Sequence, residues 1–87
     1  KPDLQERKKT GIAIDKTIKE NRKVDFDEMG VHDSKIYDFD LLEPDMEFEG
    51  PAIVEDPSTT VVIFPNQKCK VDNYANLHIS IFGEKNE

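Results

Sequence analysis

The sequence predicts a small, mainly β domain, either an open barrel or a two-layer β-sandwich, with an extended N-terminal arm. Three observations predict this class. Apolar and polar residues alternate with a period of two in several short segments, proline, glycine and asparagine separate those segments, and no segment is long and periodic enough for a helix. Short alternating strands joined by tight turns are typical of sandwiches and small barrels.

We expect three parts along the chain: an arm over residues 1–23, a β domain over 24–82 and a C-terminal tail over 83–87. The arm contains few large apolar residues, and their spacing fits neither a helix face nor a strand. They are Leu4, Ile12, Ile14 and Ile18. The order of the arm is therefore expected to depend on contacts with another surface.

The first two strands are predicted around KVDFD and GVHDSKIYDF. Val24 and Phe26 alternate with charged residues, so both should lie on one face of a strand. In the second segment the expected inward residues are Val31, Ile36 and Tyr37. The segment MEFEG then alternates again, and the Gly-Pro pair after it ends the ladder because proline has no amide hydrogen to donate.

The centre of the core is predicted in TTVVIF, residues 59–64, which follows a brief strand AIVE and a DPS turn. This segment is apolar on both faces, with Val61 on one side and Val62 on the other. Parallel or central strands that are covered from both sides have this composition. We therefore expect TTVVIF to be a doubly covered strand.

A hairpin is predicted at the C-terminal end of the domain. KCKVD places Cys69 and Val71 inside, and LHISIF places Leu77, Ile79 and Ile81 inside, with NYAN as the turn between them. Matching alternation across a short link is the signal of an antiparallel hairpin.

Composition excludes several functional classes. The formal net charge is −7 and the sequence pI about 4.8, which disfavours a nucleic-acid partner, and the basic residues of the first quarter have no interleaved aromatic residues for base stacking. No apolar run approaches the length of a membrane span, and no signal-peptide pattern opens the chain, so no membrane association is expected. A single cysteine excludes an internal disulfide and fits a cytoplasmic location.

The core must be small, since 36% of the residues are hydrophobic and another 36% are charged. Such a chain lies near the boundary between a lean globular domain and one that cannot fold alone. Docking on a larger partner would complete its core.

Candidate metal and catalytic residues favour a structural interpretation. Asp38, Asp40 and Glu49 have the spacing of positions 1, 3 and 12 of a calcium loop, but Glu43 stands where such a loop needs glycine, so these carboxylates are interpreted as a solvated acidic rim. His32, Cys69 and His78 are too few and too far apart for structural zinc.

The remaining polar candidates also have ordinary explanations. Cys69 is expected to be a small core residue rather than a nucleophile. Thr59 and Thr60 suit the start of a strand through β-branching and local hydroxyl hydrogen bonds, although such a pair could also donate to a phosphate. We expect no catalytic residue, no bound cofactor and no metal in this chain.

The run GPAIVEDPSTTVVIFPNQKCKVDNYANLHI resembles the C-terminal segment of the large ATP-dependent subunit in the hydantoinase A, 5-oxoprolinase and acetone or acetophenone carboxylase family. RKVDFD, IYDFDLL and EPDMEFEG extend the similarity to roughly residues 20–80. The matching residues are Gly50, Pro51, Ala52, Ile53, Val54, Glu55, Pro57, Thr59, Thr60, Val61, Val62, Pro65, Val71, Asp72, Tyr74, Asn76 and Leu77. Of these, we assign a structural role to Gly50, Pro51, Ala52, Thr59, Thr60, Pro65, Asp72 and Asn76.

Two departures from the family pattern concern turns. The family usually has Pro-Pro-Gly where this chain has Phe-Pro-Asn at residues 64–66, and Tyr-Gly-Asn where it has Tyr-Ala-Asn at residues 74–76. Asn66 is expected to keep its turn, because asparagine tolerates a left-handed backbone. Ala75 is expected to force a different turn type.

The resemblance implies a parent enzyme with ATP bound on an actin-like kinase fold. This chain has no glycine-rich phosphate loop, so it cannot be that ATPase by itself. It is either a fragment or a separately encoded part of the large subunit. The preferred interpretation is a small non-catalytic subunit of an acetophenone carboxylase-like, biotin-independent ketone carboxylase. The equivalent part of an ATP-dependent hydantoinase or 5-oxoprolinase, and a free-standing acidic β module that binds protein, are the alternatives.

The resemblance also implies partners. They would be a large hydantoinase A-like ATPase subunit, which carries ATP with a divalent metal, and further carboxylase subunits. The apolar residues expected to contact a partner are Leu4, Ile12, Ile14, Phe64 and Tyr74.

Overall fold

The alternating segments form strands in two layers of β-sheet. The computed structural model describes residues 8–81, which form strands and short 3₁₀ turns. The strands are β1 (Ile18–Asp25), β2 (Val31–Asp38), β3 (Glu47–Glu49), β4 (Ala52–Asp56), β5 (Thr59–Ile63), β6 (Gln67–Val71) and β7 (Leu77–Ile81). The 3₁₀ turns are Ile14–Thr17, Asp27–Met29 and Phe39–Leu41. The predicted class is confirmed, as an open two-layer sandwich.

The first sheet has the strand order β1-β2-β4-β5, and the second has the order β3-β6-β7. All neighbouring pairs are antiparallel except β2 and β4, which run parallel. The chain crosses from the second sheet to the first between β3 and β4, and crosses back between β5 and β6. The predicted β6–β7 hairpin is confirmed, with Cys69 opposite Ile79 and Val71 opposite Leu77.

The main core lies between the two sheets. Its buried members are Tyr37, Leu42, Phe48, Ala52, Val54, Ile63, Cys69 and Val71. The rings of Tyr37 from the first sheet and Phe48 from the second stack with centroids 4.1 Å apart. Because these residues come from β2 to β6 and the loop before β3, the core ties the middle of the chain together.

A second apolar cluster covers the outer face of the first sheet. Cross-strand pairing places Ile36, Ile53 and Val62 in one row across β2, β4 and β5. Phe26 is buried, and its ring lies 5.6 Å from that of Phe64. Strand β4 is consequently covered on both faces.

The predicted central strand is therefore wrong. TTVVI forms β5, which lies at the edge of the first sheet and has Val62 39% exposed. The doubly covered strand is β4, whose Ala52, Ile53 and Val54 are all buried. An apolar sequence alone does not distinguish a central strand, covered on both faces, from an edge strand with one exposed face.

The boundary of the predicted arm also differs from the structure. Strand β1 begins at Ile18, so residues 18–23 belong to the first sheet instead of the arm. The prediction found only the end of this strand, from Lys23, because residues 19–23 are exposed and an exposed edge strand needs no apolar alternation. Residues 83–87, predicted as a tail, lie outside the described part of the chain.

Three of the predicted inward side chains are exposed. Val31 is 60% exposed, and Ile79 and Ile81 are 40% and 44% exposed, whereas Ile36, Tyr37, Cys69 and Val71 are buried as predicted. Val31 lies near the tip of the β1–β2 hairpin, where β2 has passed beyond its pairing with β4. Ile79 and Ile81 lie on β7, an edge strand.

Candidate partner interface

The Gly50–Pro51 motif, joined by a cis peptide bond, lies where the two chain crossings meet. A Cβ atom at Gly50 would overlap the carbonyl oxygen of Phe64 and lie 2.8 Å from that of Ile63, so the two backbones approach too closely for any side chain. The Gly50 N–H donates to the Gln67 carbonyl at 2.9 Å, and the Gln67 side chain accepts from the Phe64 N–H at 2.8 Å. The Gly-Pro-Ala run thus joins the two sheets structurally.

Asp72 organises the turn between β6 and β7. Its Oδ1 accepts from the backbone N–H groups of Tyr74 and Asn76, both at 2.8 Å, and its Oδ2 contacts the Asn76 amide and His78 Nε2 at 3.1 and 2.9 Å. These bonds lower the pKa of the Asp72 carboxyl, with the His78 contact as the largest cause. The Val-Asp and Asn elements of the motif therefore close a turn.

A similar carboxylate closes the turn before β5. Asp56 Oδ1 accepts from the Ser58 and Thr59 N–H groups at 2.7 and 2.9 Å, which lowers the pKa of Asp56. Thr59 and Thr60 follow directly as exposed residues of an edge strand. Their positions match the predicted strand start.

The two departures from the family pattern have different outcomes. Ala75 adopts φ +65°, the left-handed conformation that favours glycine, so an alanine occupies a position where glycine would be unstrained. The expected change of turn type stays a prediction. Asn66 is not among the residues with positive φ, so the left-handed backbone expected there is wrong.

Glu43 is a site residue that the sequence did not reveal. Its buried carboxylate accepts from the Thr10 N–H at 2.8 Å, the Gly11 N–H at 3.2 Å and the Thr10 hydroxyl, and these bonds lower the pKa of Glu43. Lys9 Nζ adds a 2.8 Å ion pair to Asp45. Glu43 lies more than 30 residues from Thr10 and Gly11 in sequence, so no local sequence pattern predicts these hydrogen bonds. Glu43 fastens the N-terminal segment to the sandwich.

A cleft of about 530 Å³ lies beside Gly50 and Pro51. Its lining mixes Asp15, Asp33 and Glu49 with Lys35, together with the Tyr37 and Phe48 rings. Within residues 8–81 no three histidine, cysteine or carboxylate side chains come together as a metal site. The same part of the chain contains no helix of the length and apolar composition that a membrane crossing requires.

The predicted polar candidates are not brought together. His32 Nε2 contacts the Met29 carbonyl at 2.7 Å, and His78 pairs with Asp72. Cys69 is buried, and this burial raises the pKa of its thiol to about 11. On the acidic rim, Asp38 accepts the Asp40 N–H at 3.0 Å.

The predicted partner-contact residues have different surroundings. Ile12, Phe64 and Tyr74 are exposed, whereas Ile14 packs partly against the core, and Leu4 lies outside the described residues. The Phe64 ring belongs to the outer cluster with Phe26.

The four edge strands among the described residues differ in charge. Strand β1, IKENRKVD, contains five charged residues in eight, and β3, EFE, is three residues long with a charge at each end. Strands β5, TTVVI, and β7, LHISI, contain no Lys, Arg, Asp or Glu. Charged or short edges resist strand addition, and uncharged β-branched edges accept it.

A cleft of about 310 Å³ lies between these two edges without Lys, Arg, Asp or Glu. It is lined by Phe39, Val54, Asp56, Thr59, Val61, Ala75, Asn76, Leu77 and Ile79. Thr59 and Asn76 of the family motif thus border a largely apolar opening in the sandwich. We call this opening, with β5 and β7 on either side, the open side.

A model of the hydantoinase/oxoprolinase C-terminal domain matches residues 1–81. An uncharacterized protein of Methanocaldococcus jannaschii is 45% identical over 58 residues, which is 67% of this chain and 8% of that relative's length. This chain therefore spans only a small part of the relative. With a family match over nearly its full length, the chain belongs to the hydantoinase/oxoprolinase C-terminal domain family.

Proposed function

We propose that the chain is a non-catalytic assembly element of an ATP-dependent, biotin-independent ketone carboxylase of the acetone or acetophenone type. The proposal rests on one observation, that the motif residues of this chain shape its backbone while other, apolar side chains are exposed. The motif residues Gly50, Asp72 and Asn76 are used in backbone approaches and turns, while apolar side chains on the open side lie uncovered. A chain of this kind contributes surface and shape to a larger subunit.

In this proposal, ATP and its divalent metal bind to a large hydantoinase-type ATPase subunit in the cytoplasm, with further carboxylase subunits in the complex. ATP activates the substrate or bicarbonate by phosphorylation on the partner, and this chain completes the partner's surface. The equivalent role in an ATP-dependent hydantoinase or 5-oxoprolinase is the second candidate, favoured by the family to which the domain belongs. A free-standing protein-binding module is the third.

Reconstitution tests the proposal. The chain is combined with the hydantoinase-type ATPase subunit of the same organism, and ATP turnover is measured with acetone or acetophenone plus bicarbonate, with a hydantoin, and with 5-oxoproline. We expect the isolated chain to be inactive and the complex to turn over ATP in response to a ketone and bicarbonate. Turnover stimulated only by a cyclic amide would select the second candidate.

Two variants separate an assembly role from a catalytic one. Thr59→Val and Thr60→Val remove exposed hydroxyls from β5 while keeping its β-branched shape. We expect unchanged kcat in the assembled complex for both. A fall in kcat with assembly intact would assign a substrate or phosphate contact to these threonines and would contradict the proposal.

A further inference from the structure

The edge strands of the two sheets differ in whether charged residues protect them from pairing with another strand. Among residues 8–81, each edge strand pairs on one side only. Edges β1 and β3 have the charges that natural proteins use to prevent strand pairing, and β5 and β7 lack them. The two edge strands without Lys, Arg, Asp or Glu border the same cleft, whose lining is apolar or uncharged apart from Asp56.

Two isoleucine side chains of β7, Ile79 and Ile81, are more exposed than their position in the sheet predicts. Register places Ile79 opposite the buried Cys69, and Ile81 opposite Gln67, so both isoleucines point to the inner face of the second sheet. They are nevertheless 40% and 44% exposed. Inner-face isoleucines at an edge without charges lack a neighbour that would cover them.

The inner-face side chains are less buried on β7 than on β5. On β5 the inner-face residues are further covered, because Ile63 is buried and Val61 is half-buried. On β7, Leu77 is half-buried and the next two inner-face residues are exposed. Strand β7 is thus the less complete of the two edges.

We propose that β7 accepts an extended, uncharged, β-branched or apolar strand from the remainder of the hydantoinase-type subunit. This inference rests on the proposed assembly role. We infer the occupant from charge, because the chain has a net charge of −7, yet neither β5 nor β7 contains Lys, Arg, Asp or Glu. With Asp56 at the border of the cleft, these two strands match a neutral segment. The length of the relative also supports this occupant. The match covers only 8% of that protein, so the polypeptide around the domain there could supply the added strand.

An added strand would continue the order β3-β6-β7 by one position. Its backbone would pair with the N–H and C=O groups of β7 that have no strand partner among residues 8–81, and its inner-face side chains would flank Ile79 and Ile81. Main-chain pairing supplies affinity in this mode, and the alternating apolar side chains supply specificity.

The test is amide hydrogen exchange on the assembled complex and on the isolated chain. We expect slower exchange in the complex for residues 77–81, with little change for residues 19–25 on the charged β1 edge. A matched pair of variants accompanies it: Ile81→Lys and Val31→Lys each place the same charge at an exposed apolar site. We expect Ile81→Lys to weaken the complex by about ten-fold or more and Val31→Lys to leave it within about two-fold.

The outcomes separate this inference from the proposed function. Failure of the unmodified chain to form any complex contradicts the proposed function and removes the basis of the inference. A complex that forms with normal affinity to Ile81→Lys, or that protects β1 instead of β7, contradicts the inference alone. Protection of residues 77–81 in a concentration-dependent dimer of this chain would assign the edge to a second copy and would also contradict it. Matching melting temperatures of the two variants show that neither has lost its fold.

Discussion

The two sides of the sandwich differ in how the backbone packs and in the charge of the residues around their clefts. Around Gly50, two crossings between the sheets bring backbone against backbone, with no space for a Cβ atom. On the open side, β5 and β7 lie at the edges of different sheets and leave an apolar cleft between them. We call the Gly50 side the closed side because backbone contacts within the chain hold it together, and the cleft beside it is lined by charged residues. The open side has the composition of an interface.

This difference separates residues of the family motif, which shape the fold, from strand residues that we propose contact a partner. Gly50 and Asp72 belong to the family pattern, and the structure gives both of them a backbone role. Ile79 and Ile81 are ordinary strand residues by type, yet they are exposed on a face where their alternation predicts burial. Substitutions should therefore affect folding on the closed side and assembly on the open side.

The largest expected effect comes from a charge placed in the core. Val54 is 2% exposed in the doubly covered strand β4, so Val54→Asp should destabilise the fold by about 3–5 kcal/mol, because an unpaired buried carboxylate loses its hydration. Urea denaturation measures the change. Val62→Asp on the edge strand β5 is the control, and its cost should be about 1 kcal/mol or less. Equal costs for the two variants would contradict the assignment of β4 as the central strand.

The backbone approach at Gly50 predicts the next effect. Gly50→Ala should cost about 3 kcal/mol, since the new methyl group would overlap the Phe64 carbonyl and force the two crossings apart. Gly11→Ala is the matched change, because Gly11 has nothing within 4 Å of the added Cβ and carries only the strain of its positive φ, about 1 kcal/mol. Thermal melts of the two variants give the comparison, and a smaller loss for Gly50→Ala would contradict the close contact.

Acid should loosen the attachment of the N-terminal segment. The folded-state pKa of Glu43 lies below its unfolded value, so its contribution to stability is present above about pH 4.3 and is lost as the pH falls through the folded value. We expect exchange of the Thr10 and Gly11 amides to accelerate as the pH falls, after correction for the intrinsic exchange rate. In Glu43→Gln these amides should be poorly protected already at pH 7. An unchanged pH profile in that variant would show that another group holds the segment.

The smallest expected effect is a gain. Ala75 has φ +65°, and glycine adopts this backbone without strain, so Ala75→Gly should stabilise the domain by about 0.5–1 kcal/mol after the entropy cost of glycine is included. The melting temperature should rise by a few degrees. Asn73→Gly, in the same turn without a positive φ, should give no gain.

The strand segments and the β6–β7 hairpin could be predicted because each carries a local alternation. The edge position of β5 could not, because TTVVI has the same composition in a central strand and at an interface. The first part of strand β1, before Lys23, was missed for the opposite reason, since its exposed and charged residues show no apolar alternation. Glu43 was missed because its partners are distant in sequence.

The prediction of partner-contact residues is limited in the same way. Phe64 and Tyr74 were predicted as partner contacts from their residue types, and both are exposed. Ile79 and Ile81 were placed in the core because their alternation matches that of Cys69 and Val71. Alternation identifies the face of a strand, but the extent of the opposing sheet decides whether that face is covered.

Cysteine footprinting tests the central claim, that the chain is closed on one side and completed by a partner on the other. The native Cys69 should be alkylated slowly, because burial raises the pKa of its thiol to about 11 and thiolate is the reactive form. Ile81→Cys and Val31→Cys are alkylated in the isolated chain and in the complex with the ATPase subunit, and peptide masses give the rates. We expect Ile81→Cys to react rapidly alone and slowly in the complex, with Val31→Cys rapid in both. Rapid alkylation of Ile81→Cys in the complex, with Val31→Cys protected, would contradict the account.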